Sequence, residues 1–128
     1  MSYGYFRILK DDFNQIDQRI RETLAENGFG VITEIDVRQT MKNKLDVEFK
    51  PYKILGACNP QFAHQALTLE PDIGLLLPCN VIIEDNQDGT VRVGAIDAEK
   101  MLDITGREDL IGFAREVNIL LKKSIDTI

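Results

Sequence analysis

The sequence predicts an α+β fold: a small, mostly antiparallel sheet with helices packed on one face, in the order β-α-β-α-β-α-β-β-α. Apolar residues recur at three- and four-residue steps in two long segments, which marks amphipathic helices. Short stretches between them alternate apolar and polar side chains, the pattern of half-buried strands. "CNVIIED" and "TVRVGAID" are joined by "NQDG", a hairpin signal and therefore a sign of antiparallel pairing. Strands interspersed with helices and followed by a hairpin fit the α+β class.

"YGYFRILK", Tyr3 to Lys10, alternates enough to form the first strand. In "DDFNQIDQRIRETLAENG", Phe13, Ile16, Ile20 and Leu24 make one apolar stripe, Asp11 or Asp12 can cap its start, and Gly28 suits its stop. "FGVITEI" reads as a half-buried strand with Phe29, Val31, Thr33 and Ile35 on one face. Asp36 followed by Gln39 resembles a capping box and predicts a short helix in "DVRQTMKNKL". "VEFKPYKILGAC" gives a strand centred on Tyr52, Ile54 and Gly56. Asn59 is a good N-cap, Pro60 is favoured at the first helical position, and that helix runs to about Glu70, before Pro71.

In the hairpin, Asp88-Gly89 is expected to supply the positive φ angles, and Val91 and Val93 match Val81 and Ile83. A short helical turn follows in "AEKML". The last helix is expected to open on a capping box of Thr105 and Glu108. Its stripe contains Leu110, Phe113, Ala114, Val117, Leu120 and Leu121, with Lys122 and Lys123 near the favourable C-terminal end.

A length of 128 residues fits a single domain, 1–128, large enough to bury roughly two-thirds of its unfolded surface. No apolar run is long enough to span a bilayer, and "MSYGYFRILKDDF" lacks the layout of a signal peptide, so no membrane partner and a cytoplasmic location are expected. A net charge of −6 without a basic cluster argues against nucleic acid. Two cysteines are too few for a disulfide scaffold and are expected as thiols in a reducing compartment.

"GLLLPCNVII" poses a question of its own. Pro78 cannot donate to a sheet ladder, so "IGLLL" is expected as an edge or loop segment, with the regular ladder beginning after Pro78. Cys79 then stands at the bend, on the face of Val81 and Ile83. Cys58, in "ACNP", lies just before a helix, with Ile54 and Gly56 as same-face neighbours. Each cysteine reads either as a packed small hydrophobe, the preferred reading, or as a thiol in a site. The surface where "ACNP" and "LPCN" meet is the candidate ligand site, formed by Cys58, Asn59, Cys79 and Asn80. No CxxC is present, and His64 falls opposite Phe62, Ala66 and Leu69, so no metal is assigned. Neither a GxSxG, a P-loop nor a GxGxxG is present; no cofactor is expected and no catalytic residue is identified.

Gly56-x-Cys58-Asn59-Pro60, Ala66-Leu67, Gly74-Leu75-Leu76-Leu77-Pro78-Cys79 and Asp88-Gly89 together resemble the prokaryotic "domain of unknown function 302" family over nearly the whole chain. The turn before Met101 also fits, although Ala98 stands where that family often has proline. The resemblance implies a compact α+β domain that forms a homodimer, and it carries over no catalytic residue. The expected function is a non-catalytic homodimer that binds a small-molecule ligand or a partner. The alternative is a thiol-based redox or sulfur-carrier protein using Cys58, Cys79 or both.

Overall fold

The structure, a computed structural model, describes residues 2–128. Its strands are β1 (Gly4–Leu9), β2 (Gly30–Asp36), β3 (Tyr52–Cys58), β4 (Cys79–Asp85) and β5 (Val91–Ile96). Its helices are α1 (Phe13–Glu26), α2 (Val37–Leu45), α3 (Pro60–Leu69), α4 (Ala98–Asp103) and α5 (Ile111–Asp126). The five strands form one sheet in the order β1-β5-β4-β3-β2, and every pairing is antiparallel. This is the α+β architecture that the periodicities predict.

The local signals act where they stand. Asp12 caps α1 by accepting from the Gln15 N–H at 2.8 Å, and Asp36 caps α2 by accepting from Gln39 at 3.0 Å. At the end of α1, Gly28 takes φ +86°, a left-handed value that costs a glycine little. Phe29 then donates to the Leu24 carbonyl and Gly28 to that of Ala25, which closes the last turn. Asn59 caps α3 through Phe62 N–H, with Pro60 at its start.

The core lies on one face of the sheet. The registers place Leu55 opposite Val81, Val81 opposite Ala95, and Ile83 opposite Val93. Their side chains meet Ile16, Ile20 and Leu24 of α1 and Ala114, Val117, Leu121 and Ile125 of α5 in one buried cluster. Phe113 and Leu120, from the same predicted stripe of α5, are only partly buried. The two long helices are tied where they cross: the Thr23 hydroxyl donates to the Ser124 carbonyl at 2.8 Å, out of water. At the C-terminal end of α5 the Arg7 guanidinium donates to the carbonyls of Ile125 and Asp126, satisfying groups that the helix leaves unpaired.

Several expectations are corrected. β2 is not uniformly half-buried on one face: a bulge between Val31 and Thr33 switches its alternation. Phe29 is buried before the bulge, whereas Ile35 is 49% exposed beyond it. In β3 the core face is Leu55 and Ala57, not Ile54 and Gly56, and the strand begins only at Tyr52. "PDIGLL" forms a 3-10 helix over Pro71–Leu76 rather than an edge or loop segment. In the hairpin the positive φ angles fall on Gln87 and Gly89, not on Asp88. Thr105 and Glu108 make no capping box: the Thr105 hydroxyl donates back to the Leu102 carbonyl, a 3-10 turn covers Glu108–Leu110, and α5 starts after it.

Candidate functional site

β3 ends and β4 begins side by side at one end of the sheet. There the covering elements do not close completely. A cavity of about 270 Å³ remains between that end of the sheet, α3, α4, α5 and the 3-10 helix. Its inner wall includes Ala57, Ala66, Val117 and Leu102, all buried. Its mouth is marked by Ile32, 61% exposed, and Leu67, 39% exposed.

Pro78 helps to place this end. The Leu77–Pro78 peptide is cis, and the ladder starts at the next residue, Cys79, paired with Ala57. Pro78 also packs beside Gly56, where an added Cβ would lie 2.6 Å from Pro78 Cγ and inside contact distance of the Thr33 hydroxyl. Glycine at 56 is thus required by close approach, not by a turn.

The cavity receives three of the four residues that the sequence singled out. Cys79 faces inward on the core side, with Cys58 one position beyond its cross-strand partner Ala57; both line the cavity and both are free thiols. Asn59 lines it as well, while its side-chain oxygen caps α3. Asn80 is not brought there. Strand alternation turns it to the opposite face, where it pairs with Gly56 and is exposed. His64 is exposed on α3 and takes no part.

The site is electrostatically quiet. Burial, with a smaller contribution from the neighbouring Cys58, pushes the Cys79 thiol up to about 11, so it is protonated and weakly nucleophilic at neutral pH. No acid, base or cation stands among the lining residues. Among the described residues no three His, Cys, Asp or Glu side chains gather as metal ligands would.

Phe62 and Phe113, whose rings meet edge to face at 6.4 Å between centroids, complete much of the wall with Met101. These residues read in the sequence as ordinary stripe or turn positions. Their convergence depends on how α3, α4 and α5 pack together, which no local pattern encodes. A second cluster outside the cavity was also missed. Asn118 of α5 accepts from the Ala98 N–H at 2.7 Å and donates to Asp97 at 2.9 Å, while Asp97 caps α4. A polar residue at a stripe position, between Val117 and Leu121, was its available signal.

An antiparallel α+β sheet with an apolar cavity at one end defines the class of protein. The chain belongs to the family described as "Domain of unknown function DUF302", whose model matches residues 6–128. It is similar to a crystal structure described as "uncharacterized conserved protein DUF302" from Bacillus stearothermophilus, with a TM-score of 0.90 and 25% identity over 98% of each chain. It is also 33% identical over 82 residues to an "Uncharacterized protein" of Aquifex aeolicus (strain VF5); the match covers 62% of this chain and 56% of that relative's length. No helix among the described residues is long and apolar enough to cross a membrane.

Proposed function

We propose that the protein is a non-catalytic binding module, a homodimer that takes an apolar small molecule into the cavity at the end of its sheet. The observation that carries this reading is the cavity itself: about 270 Å³, open at Ile32 and Leu67, with Asn59 as the amide side chain on its wall. An engineered apolar cavity of about 150 Å³ stays dry and takes up benzene or xenon. Leaving the larger volume empty forfeits dispersion contacts that a ligand would restore. Cys58, Asn59 and Cys79 are ligand contacts in this reading, and Asn80 is not.

The second copy belongs on the face of the sheet turned away from the core. Phe6, Ile8 and Ile35 are 38%, 62% and 49% exposed there. The charges on this face are already paired. Glu84 meets Lys50 at 2.5 Å and Arg92 at 3.3 Å, and the Arg92 guanidinium stacks 3.9 Å from the Phe6 ring centroid. A second copy therefore meets no isolated charge, despite the net −6. Two free thiols suit a cytoplasmic setting.

Xenon tests the cavity without assuming a ligand class. Wild-type protein under xenon pressure is expected to show a saturable shift in the xenon NMR resonance, which Ala66→Phe, filling the cavity, removes. No shift with wild-type protein would reject the reading. A second reading, thiol chemistry, has the closeness of Cys58 and Cys79 behind it. It requires one thiol of the folded protein to alkylate faster than a free cysteine. The protonated Cys79 thiol is expected to be slow.

A further inference from the structure

The lining of the cavity narrows the ligand to a shape, a deduction that rests on the binding reading above. Three phenylalanines, Phe29, Phe62 and Phe113, and three sulfur-bearing residues, Cys58, Cys79 and Met101, line one space. Aromatic rings prefer offset or edge-to-face partners, and sulfur favours the edges of rings. Phe62 and Phe113 already meet at an interplanar angle of 67°, so a third ring entering the space finds both a face and an edge. A flexible chain gains from the same walls only generic contact and loses rotamer freedom on entry.

Charge is excluded by the same wall. No lysine, arginine or histidine lines the cavity, so a carboxylate or phosphate inside it would lose its water without a partner. Nor does an acidic side chain line it to receive an ammonium group. The Asn59 oxygen is engaged by the Phe62 N–H at 3.4 Å. Size sets the upper limit. A volume of about 270 Å³ is somewhat less than twice the roughly 150 Å³ that accepts one benzene ring.

We propose that the cavity binds a neutral, flat aromatic molecule of about two fused rings. Its plane packs against the Phe62–Phe113 pair, meeting the face of one ring and the edge of the other, and its edge points toward Cys58 and Cys79 at the strand ends. The ligand enters past Ile32 and Leu67.

The test compares 2-naphthol with 1-decanol, which share carbon count and a single hydroxyl but differ in shape. Titration calorimetry on the full chain is expected to give one site for 2-naphthol, about tenfold tighter than for 1-decanol. Phe113→Leu, which keeps an apolar side chain but removes a ring, is expected to weaken 2-naphthol about tenfold and 1-decanol less than twofold. Equal or tighter binding of 1-decanol, or equal loss of both probes in the variant, overturns the aromatic assignment and leaves the cavity reading standing. Failure of both probes together with the absence of a xenon shift overturns both.

Discussion

Two of the apolar regions that remain accessible once the core is filled differ in shape. One is the cavity at the end of β3 and β4, concave and walled by α3, α4 and α5. The other is the broad outer face of the sheet, where Phe6, Ile8 and Ile35 stand exposed. The cavity wall carries no charged side chain, whereas the outer face also holds the paired charges of Glu84, Lys50 and Arg92. Curvature separates their partners: a concave wall surrounds a small molecule and desolvates most of it, whereas a broad face needs a partner as broad as itself. Cys79 and Asn80 show how finely the two are divided. They are neighbours in sequence, yet one lines the cavity and the other lies exposed on the outer face.

The largest expected effect sharpens the boundary between the covered and open faces. Ile83→Ala, at a fully buried position, is expected to cost about 2–5 kcal/mol in urea unfolding. Ile8→Ala, on the open face, is expected to change the stability of the monomer by no more than about 0.5 kcal/mol. Equal losses would show that the outer face is packed within the protomer.

Association is the next contrast. Ile35→Lys puts an unpaired charge on the outer face and is expected to weaken self-association at least about a hundredfold, or about 2.7 kcal/mol, in sedimentation equilibrium. Xenon uptake should be unchanged in that variant. Wild-type protein that sediments as a 14.5 kDa monomer at micromolar concentration would remove the outer face from the account.

The cysteines give a smaller contrast within the cavity. Cys79→Ser buries a poorly paired hydroxyl and is expected to cost about 1–3 kcal/mol. Cys58→Ser, at a half-buried position, is expected to cost less than about 1 kcal/mol by the same thermal or urea assay.

The smallest effect is electrostatic. Burial opposes ionisation of Asp17, but hydrogen bonds from Lys53 and Arg21, at 2.8 Å each, outweigh it and hold the carboxyl below its ordinary range. A carboxyl depressed on folding contributes stability above its unfolded value, near pH 3.9, and the contribution disappears as pH falls through the folded value. Asp17→Asn is therefore expected to lose about 1 kcal/mol at neutral pH. It should also show a shallower decline than wild type below about pH 4. An unchanged acid limb would mean that the ion pairs of Asp17 contribute nothing to folding.

Much of the fold was legible because its signals are local. The stripe of α1, the caps at Asp12, Asp36 and Asn59, and the β4–β5 hairpin are each written within a few residues. The failures came where tertiary packing decides. The bulge at Ile32 reverses the alternation of β2, and apolar residues on both faces of β3 made Ile54 look like a core position when Leu55 is one. For the candidate site, proline beside cysteine marked the end of the sheet at which the cavity lies. It could not show which side of the strand Asn80 takes, nor that Phe62, Met101 and Phe113 converge from three helices.

Methyl-resolved NMR of the full chain titrated with 2-naphthol tests the division between the two regions most directly. The account predicts saturable shifts at the methyls of Ala57, Ala66 and Met101, which line the cavity, with Ile8 and Ile35 on the outer face unmoved. Shifts centred on Ile8 and Ile35, with the cavity methyls silent, would contradict it.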